Sequence, residues 1–194
     1  KWLSNGNLTK LTSLWLRRNQ IGDEGAKSLS QGKLTSLTEL DLGDNSIGDE
    51  GVKFLSCGNL MNLTKMYLDY NEIRDEGAKW LSQGKLTNLT TLHLSFNKIG
   101  DEGAKALSKG LIHLTWLDLS GNNIEVEGAK ALSCGNLSNL KTLALIQNNI
   151  GDEGAKDLSQ GNLTNLTLLC LYSNNIGYLR KAALQWKFGD KVRF

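Results

Sequence analysis

Apolar and polar positions repeat along the chain with a period of about 26 residues. In each of seven units an apolar-x-Leu pair, such as Leu14 and Leu16, precedes an Asn, and an Ile follows that Asn by two positions. The alternation in Leu14-Trp15-Leu16 is typical of a half-buried strand, whereas Ala26 and Leu29 have helical spacing. Each unit is therefore predicted to form one short strand and one short helix. The repeated Asn residues lie 26, 26, 26, 25, 26 and 26 positions apart, at Asn19, Asn45, Asn71, Asn97, Asn122, Asn148 and Asn174.

Acidic residues and glycines mark the ends of each predicted helix. Asp23 is a favourable N-cap residue, and Glu24 places negative charge near the positive end of the helix dipole. Gly32 stands where a left-handed C-cap is expected. Gly25 and its equivalents lie in the first helical turn at a cost of about 1 kcal/mol each relative to Ala. We expect close packing of helix against strand to compensate for that cost.

The repeated Asn side chains are expected to have a structural role. Each offers two donors and one acceptor just after a strand, where the turning backbone leaves N–H and C=O groups unpaired. A buried unpaired backbone group costs about 1–3 kcal/mol. We therefore predict a hydrogen-bonded ladder of Asn residues and assign them no binding role.

The two halves of the unit, LxxLxLxxNxI and IGDEGAKxLSxG, resemble the leucine-rich repeat. The helical half resembles the ribonuclease-inhibitor-like subtype, found in NOD-like receptors and in effector proteins of intracellular bacteria. The resemblance implies an α/β fold, namely a curved leucine-rich-repeat solenoid with a parallel β-sheet on its concave face and short α-helices on its convex face.

The resemblance also divides the chain. We predict a leucine-rich-repeat array of seven strand units over residues 1–176 and a C-terminal capping helix and tail over residues 177–194. Because Lys1–Ser4 matches Lys79–Ser82, further repeats are expected upstream. The tail carries five Lys or Arg residues against the single Asp190, and we expect a solvated basic face there rather than a site for an acidic partner or a membrane.

Composition excludes several classes of protein. The chain has 21 Gly and no Pro in 194 residues, with 40% hydrophobic and 22% charged residues, which fits neither collagen nor a disordered linker. Its net charge of +2 gives no reason to expect binding to nucleic acid or to a membrane surface. The apolar runs are far shorter than the roughly 18 residues that a membrane span needs.

The three cysteines indicate a reducing compartment. Cys57 and Cys134 share one repeat position three units apart, which places them at least about 15 Å apart, beyond the reach of a disulfide. Cys170 falls on a predicted strand. Free thiols favour the cytoplasm or, for a bacterial effector, the cytosol of the host. The six N-x-Ser/Thr sequons are a by-product of the repeated GNLTNLT phrase.

One combination of residues has the composition of a catalytic site. His93 falls on a strand between Asp69 and Asp118 of the adjacent units, with Ser95 and Ser120 two positions further on. An open solenoid offers no enclosed cleft, and no oxyanion-hole turn accompanies these residues. The same Asp and His side chains do not converge as metal ligands. We therefore predict no enzymatic activity, no metal and no cofactor.

Positions that differ between units are the ones that folding does not require, and they fall on the strands. Aromatic and charged residues gather there, and exposed aromatics on a rigid surface are typical interface anchors. The charged positions hold three basic and five acidic residues, which argues against nucleic acid. The candidate partner-binding residues are Trp15, Arg17, Arg18, Asp41, Tyr67, Asp69, Tyr70, His93, Phe96, Trp116, Asp118 and Tyr172.

These residues predict a monomeric, non-enzymatic scaffold that binds a protein partner on its concave face. Arg17, Arg18, Asp41 and Asp69 are expected to set the orientation of the partner. The resemblance suggests the recognition part of a bacterial effector or of an intracellular receptor. The alternative is carbohydrate binding, with the aromatic rings stacked on sugar faces and the Asp side chains accepting hydroxyl hydrogen bonds.

A second candidate surface lies on the helices. Trp2, Phe54 and Trp80 share one helix position. We expect them to pack between adjacent helices. The alternative is a convex hydrophobic patch for a partner.

Overall fold

Strands and helices alternate along the chain in a computed structural model that describes residues 8–194. The strands are β1 (Ser13–Trp15), β2 (Glu39–Asp41), β3 (Lys65–Tyr67), β4 (Thr91–His93), β5 (Trp116–Asp118), β6 (Thr142–Ala144), β7 (Leu168–Cys170) and β8 (Val192–Arg193). The helices are α1 (Gly22–Ser30), α2 (Asp49–Cys57), α3 (Asp75–Gln83), α4 (Asp101–Gly110), α5 (Val126–Cys134), α6 (Gly151–Gln160) and α7 (Tyr178–Phe188). The predicted succession of one strand and one helix per unit is confirmed.

All strands form one parallel sheet in which the spatial order follows the chain from β1 to β8. The central residue of each strand pairs with its equivalent one unit later, as Leu40 pairs with Met66 and Met66 with Leu92. These side chains are fully buried and belong to one hydrophobic cluster that also contains Leu55 of α2 and Leu81 of α3. The core is thus a continuous column of leucines between the sheet and the helical layer.

The tail contributes a strand that the sequence pattern does not predict. Val192 of β8 pairs with Leu169 of β7 and is buried, so the sheet within residues 8–194 has eight strands rather than the predicted seven. Leu184 and Phe188 are the buried residues of α7. The added strand covers the open backbone edge of β7, which would otherwise be exposed. The role of residues 177–194 as a separate cap stays a prediction.

The Asn ladder is present and links each unit to the one before it. In Asn71, Nδ2 donates to the carbonyl oxygens of Leu42 and Leu68, each at 3.0 Å. Its Oδ1 accepts from the backbone N–H of Ile47 at 2.8 Å. The Asn side chains from Asn45 to Asn174 are buried in this way. The predicted structural role is confirmed.

The prediction that Asp23 caps its own helix is wrong. Asp23 lies within α1 rather than before it, and it accepts from the backbone N–H of Gly48 at 2.7 Å, where the next helix begins. Asp75 repeats the contact on α4, accepting from Gly100 at 2.7 Å and from Gly103 at 3.0 Å. Each carboxylate therefore satisfies the free N–H groups at the start of the following helix.

This Asp ladder is interrupted once. Val126 stands at the Asp position before α6, and α6 begins at Gly151 with a left-handed φ of +62°. In helices α2 to α5, by contrast, the N-cap residue before the helix has an extended backbone conformation. Only glycine adopts the left-handed conformation without steric cost, so the unit without the carboxylate depends on Gly151.

Val126→Asp is therefore expected to raise the free energy of unfolding by about 1 kcal/mol, because it supplies a cap to α6. Asp75→Ala, which removes the equivalent cap from α4, is the matched control and should lower stability by about 1–2 kcal/mol. Urea unfolding followed by circular dichroism measures both. Unchanged stability in both variants would show that the carboxylates contribute nothing to the helix starts.

The helix-end glycines also differ from the prediction. Equivalents of Gly32, such as Gly84, follow their helices in an extended rather than left-handed conformation. A Cβ on Gly84 would lie 2.6 Å from Cβ and 2.7 Å from the carbonyl oxygen of Ser56 on the preceding helix. A Cβ on Gly103 would lie 2.7 Å from Oδ1 of Asp75. The glycines allow adjacent helices to approach each other, whereas the predicted close contact was with the strand.

Candidate functional site

The solvent-facing side chains of β1–β7, together with the residues that follow each strand as far as the ladder Asn, are called the strand surface here. Its most unusual feature is the residue immediately before each ladder Asn, which has a left-handed backbone in every unit. The φ values lie between 53° and 64° at Arg18, Asp44, Tyr70, Phe96, Gly121, Gln147 and Ser173.

Two of these left-handed positions hold large aromatic side chains. A left-handed backbone costs roughly 1–2 kcal/mol for residues other than glycine, and bulky side chains are uncommon there. Tyr70 and Phe96 are nevertheless 50% and 41% exposed, with their rings stacked at 4.4 Å and an interplanar angle of 12°. The turn itself does not require either ring, because Gly121 serves the same position in the next unit.

A second row of rings runs parallel to this pair across β3, β4 and β5. Tyr67 stacks on His93 with ring centroids 4.8 Å apart, and His93 stacks on Trp116 at 5.8 Å. The Tyr67 hydroxyl donates to Oε1 of Glu39 at 3.4 Å. Burial, assisted by the negative charge of Glu39, raises the pKa of the Tyr67 phenol. Trp116 is 40% exposed, so the row ends in a ring that a partner can reach.

Arg17 connects the first unit with the third. Its guanidinium forms an ion pair with Asp69, lies 3.9 Å from Asp41, and sits 5.9 Å from the centroid of the Tyr70 ring. The hydrogen bond to Asp69 raises the pKa of Arg17. The side chain crosses the second unit over Gly43, where a Cβ would collide with the guanidinium. Gly43 is therefore what allows this ion pair.

The predicted orienting charges therefore differ in their availability. Asp69 is 7% exposed and Asp41 is half-buried, with its carboxylate accepting from the backbone N–H of Gly43 at 2.9 Å. Both carboxylates position Arg17. Because Asp69 is almost completely buried, little of its carboxylate is accessible to a partner. Arg18 is exposed and lies 3.6 Å from Asp44, so this pair remains accessible.

The remaining candidates flank the stacked rings. Trp15 pairs in register with Asp41 at the start of the sheet and is 71% exposed. Tyr172 follows β7, beyond the stacked rings, and is 44% exposed. Asp118 is half-buried beside His93. The structure thus brings most of the predicted residues together on β1–β5 and leaves Tyr172 at a distance from them.

The possible Ser-His-Asp arrangement does not have the geometry of a catalytic triad. Nδ1 of His93 lies 3.8 Å from Oδ2 of Asp118, which is too far for a hydrogen bond. Ser120 Oγ accepts instead from the backbone N–H of Ile146 at 3.2 Å. Within residues 8–194, no group of three or more His, Cys, Asp or Glu side chains is placed to hold a metal ion.

His93 is expected to make part of the stability dependent on pH. Burial lowers the pKa of His93, with the nearby Asp118 opposing the shift, so the unfolded chain takes up the proton first as the pH falls. Neutral His93 thus adds to the free energy of unfolding above the ordinary pKa of about 6.5. This added stability is lost as the pH falls through the lowered pKa of the folded state.

The variant His93→Gln should lose this component, so that its unfolding free energy depends less on pH than that of the wild type between about pH 7.5 and 5. Urea titrations at several pH values in this window measure the difference. Parallel pH profiles of the two proteins would exclude a titrating His93.

Comparison with known proteins gives the family. A family model described as a leucine-rich repeat matches residues 7–30, 33–56, 59–82, 85–108, 110–133 and 136–159. The chain belongs to the leucine-rich-repeat family. This confirms the family predicted from the sequence, and the model describes leucine-rich repeats without distinguishing the ribonuclease-inhibitor-like subtype.

Solved leucine-rich-repeat structures resemble this chain over nearly all of its length. Internalin C2 from Listeria monocytogenes is 25% identical with a TM-score of 0.63, over 91% of this chain and 78% of that one. A leucine-rich-repeat protein of Leptospira interrogans is 26% identical with a TM-score of 0.62, over 96% of this chain and 50% of that one. A search of curated proteins finds no significant match.

The sequence interpretation missed two glycines that shape the strand surface of this leucine-rich-repeat array. Gly43 makes room for Arg17, and a Cβ on Gly121 would lie 2.6 Å from the ring of Phe96. The available signal was a glycine at a position where the other units carry larger side chains. Such a glycine indicates that a neighbouring unit extends a long side chain across it.

On the helical side of the leucine-rich-repeat array, the expected packing of aromatics between helices is confirmed for two residues. Phe54 is half-buried with Lys27 Nζ 5.0 Å from its ring centroid, and Trp80 is half-buried with Lys53 Nζ at 5.2 Å. Trp2 lies outside the described residues. None of the helices within residues 8–194 is long and apolar enough to cross a membrane.

Proposed function

We propose that this leucine-rich-repeat chain is a non-enzymatic scaffold that binds a protein partner through its strand surface. Leucine-rich-repeat proteins typically mediate protein–protein interaction. The observation that supports the site is the pair Tyr70 and Phe96, which are large, half-exposed and placed on a left-handed backbone. Folding alone favours a smaller residue at both positions, so a function outside folding accounts for the rings.

The arrangement of the strand surface suits an interface. The stacked rings provide a rigid apolar centre, and little conformational entropy is lost when a partner covers side chains that are already held in place. Charged residues such as Arg18, Asp44 and Lys65 surround that centre, as in the polar rim of a protein interface. We infer that the partner presents an apolar or aromatic centre with polar groups around it.

Similar bacterial structures favour the recognition part of a bacterial protein over an intracellular receptor. The helical half of the repeat still supports the ribonuclease-inhibitor-like subtype, and a monomer remains the proposed state. The proposed cytoplasmic location rests on Cys57 and Cys134, which are exposed free thiols, and on the half-buried thiol of Cys170.

Carbohydrate binding is less well supported. Sugar rings stack on free aromatic faces, but His93 has rings on both sides, and Tyr70 and Phe96 each cover a face of the other. Of the proposed hydroxyl acceptors, Asp69 and Asp41 are already engaged by Arg17. A glycan array tests the alternative: a signal that disappears when Trp15 and Trp116 are replaced by Ala would favour it.

Replacement of the exposed rings tests the protein-binding proposal. The immobilised chain captures proteins from an extract, and the variant with Trp15→Ala, Tyr70→Ala, Phe96→Ala and Trp116→Ala is compared with the wild type. Because central aromatic residues contribute roughly 2 kcal/mol or more each to binding, capture of the specific partner should fall by at least about tenfold.

A matched control removes equally exposed apolar side chains elsewhere. Tyr178, Leu179 and Trp186 on α7 are 83%, 81% and 94% exposed, and all three are replaced by Ala. This variant should retain the partner. Equal capture by the wild type and the strand-surface variant would exclude the strand surface as the binding site.

A further inference from the structure

Two successive slots between helices, one between α1 and α2 and one between α2 and α3, each hold an aromatic ring with a lysine above it. Phe54 on α2 lies under Lys27 of α1, and Trp80 on α3 lies under Lys53 of α2. Both rings are half-buried, and each of the two lysine side chains is 38% exposed. The repeat thus forms a slot between neighbouring helices that accepts one ring and covers it with a cation.

The corresponding slot between α4 and α5 has no ring of its own. Ala131 stands at the position of Phe54 and Trp80, and Lys105 stands at the position of the covering lysines. A groove of about 370 Å³ opens there, lined among others by Lys105, Ala131 and Cys134. The Lys105 side chain is 50% exposed, which is more than that of its equivalents above the filled slots.

The charges of the groove suit a neutral occupant. Lys105 pairs with Glu102 at 3.3 Å and Lys130 with Glu127 at 3.9 Å. Over the whole lining, three acidic residues balance three basic ones, so neither an anion nor a cation is favoured by net charge. An aromatic ring needs no counter-charge and gains from contact with Ala131 and the apolar stems of the lysines, and from the ammonium group of Lys105.

We propose that the groove between α4 and α5 is a second docking site, which takes an aromatic side chain from a protein partner. The ring would occupy the place that Trp80 occupies two slots away, above Ala131 and beside Lys105. This site lies on the helical side of the array and does not depend on the strand surface.

Disulfide exchange at Cys134 tests the site, because this exposed thiol lines the groove. The protein is equilibrated with two mixed disulfides of cysteamine, one carrying a 2-phenylethyl group and one a 2-cyclohexylethyl group. Intact-protein and peptide mass spectrometry then give the modified fraction at each cysteine. Cys57 is the internal control, since it has the same repeat position on α2, where Phe54 already fills the slot.

The ratio of aromatic to aliphatic modification at one cysteine cancels the intrinsic reactivity of its thiol. At Cys134 this ratio should exceed the ratio at Cys57 by roughly three- to tenfold, as expected for a ring that gains a cation contact. Ala131→Trp supplies the missing ring and should reduce the ratio at Cys134 to that at Cys57. Lys105→Met keeps the apolar stem and should lower the ratio without closing the groove.

Circular dichroism shows whether each variant is folded, and Lys105→Met provides the test if Ala131→Trp does not fold. Equal ratios at Cys134 and Cys57 in the wild type would overturn the proposal. A preference that persists in folded Ala131→Trp would also overturn it, because the ring would then bind outside the slot.

Discussion

Replacing Asn71 by Ala should lower the free energy of unfolding by about 2–4 kcal/mol, the largest effect expected from any single substitution considered for this protein. The Asn71 side chain accepts from Ile47 and donates to the carbonyl groups of Leu42 and Leu68. Alanine would leave the buried N–H of Ile47 and the buried carbonyl of Leu42 without partners, and each unpaired group costs about 1–3 kcal/mol. The Leu68 carbonyl would keep one donor, Nδ2 of Asn97 at 2.9 Å. Urea unfolding monitored by circular dichroism measures the change.

Asn19 offers the matched control at the same repeat position. It is exposed, and among residues 8–194 its Nδ2 donates only within its own unit, to the carbonyl oxygens of Leu16 and Arg17. Asn19→Ala should therefore lower stability by less than about 1 kcal/mol, because water can replace these bonds. Equal losses in the two variants would contradict the view that the buried ladder joins the units.

Gly103→Ala should lower the free energy of unfolding by about 1–3 kcal/mol, although helix propensity alone predicts a gain of roughly 1 kcal/mol. The added methyl group would lie 2.7 Å from Oδ1 of Asp75 and 3.1 Å from Cβ of Ala78 on the preceding helix, and 2.7 Å from Cγ2 of Ile99 in its own unit. The carboxylate has little freedom to move away, because it accepts from the N–H groups of Gly100 and Gly103. Thermal unfolding gives the sign of the effect directly.

A double-mutant cycle isolates the cause. Asp75→Ala removes the carboxylate that the new methyl group would strike, so Gly103→Ala should cost less in that background than in the wild type. If Gly103→Ala stabilises the wild type, helix propensity dominates and the close approach of the helices places no restriction on the glycine. Strict additivity in the cycle would show that the methyl group and the carboxylate do not interact.

The sequence predicts those features of the fold that repeat locally. Alternation around Leu14, the helical spacing of Ala26 and Leu29, and the fixed position of Asn19 are sufficient for the strand, the helix and the ladder. The N-cap prediction for Asp23 failed because capping rules consider one helix, whereas this carboxylate binds the helix that starts 25 residues later. The prediction of a left-handed conformation at Gly32 was wrong for a similar reason, since the equivalent glycines allow neighbouring helices to pack closely.

Variation between units identified most residues of the strand surface, because positions that the fold does not constrain are free to change. It did not predict how those residues interact. The ion pair between Arg17 and Asp69 spans two units and depends on the missing side chain of Gly43. Asp69 is buried because it forms that ion pair. The strand pattern predicts only that its side chain faces outward, so the burial could not be predicted from it.

The central claim is that the exposed rings of the strand surface serve binding rather than folding. The double variant Tyr70→Asn and Phe96→Asn tests both halves of that claim, because asparagine tolerates the left-handed backbone and lacks the ring. We expect its free energy of unfolding to stay within about 1 kcal/mol of the wild type, as the lost stacking and the relieved backbone cost nearly offset each other. Capture of the partner by the same folded variant should fall by at least about tenfold. A variant that unfolds easily but still captures the partner in full would contradict the claim.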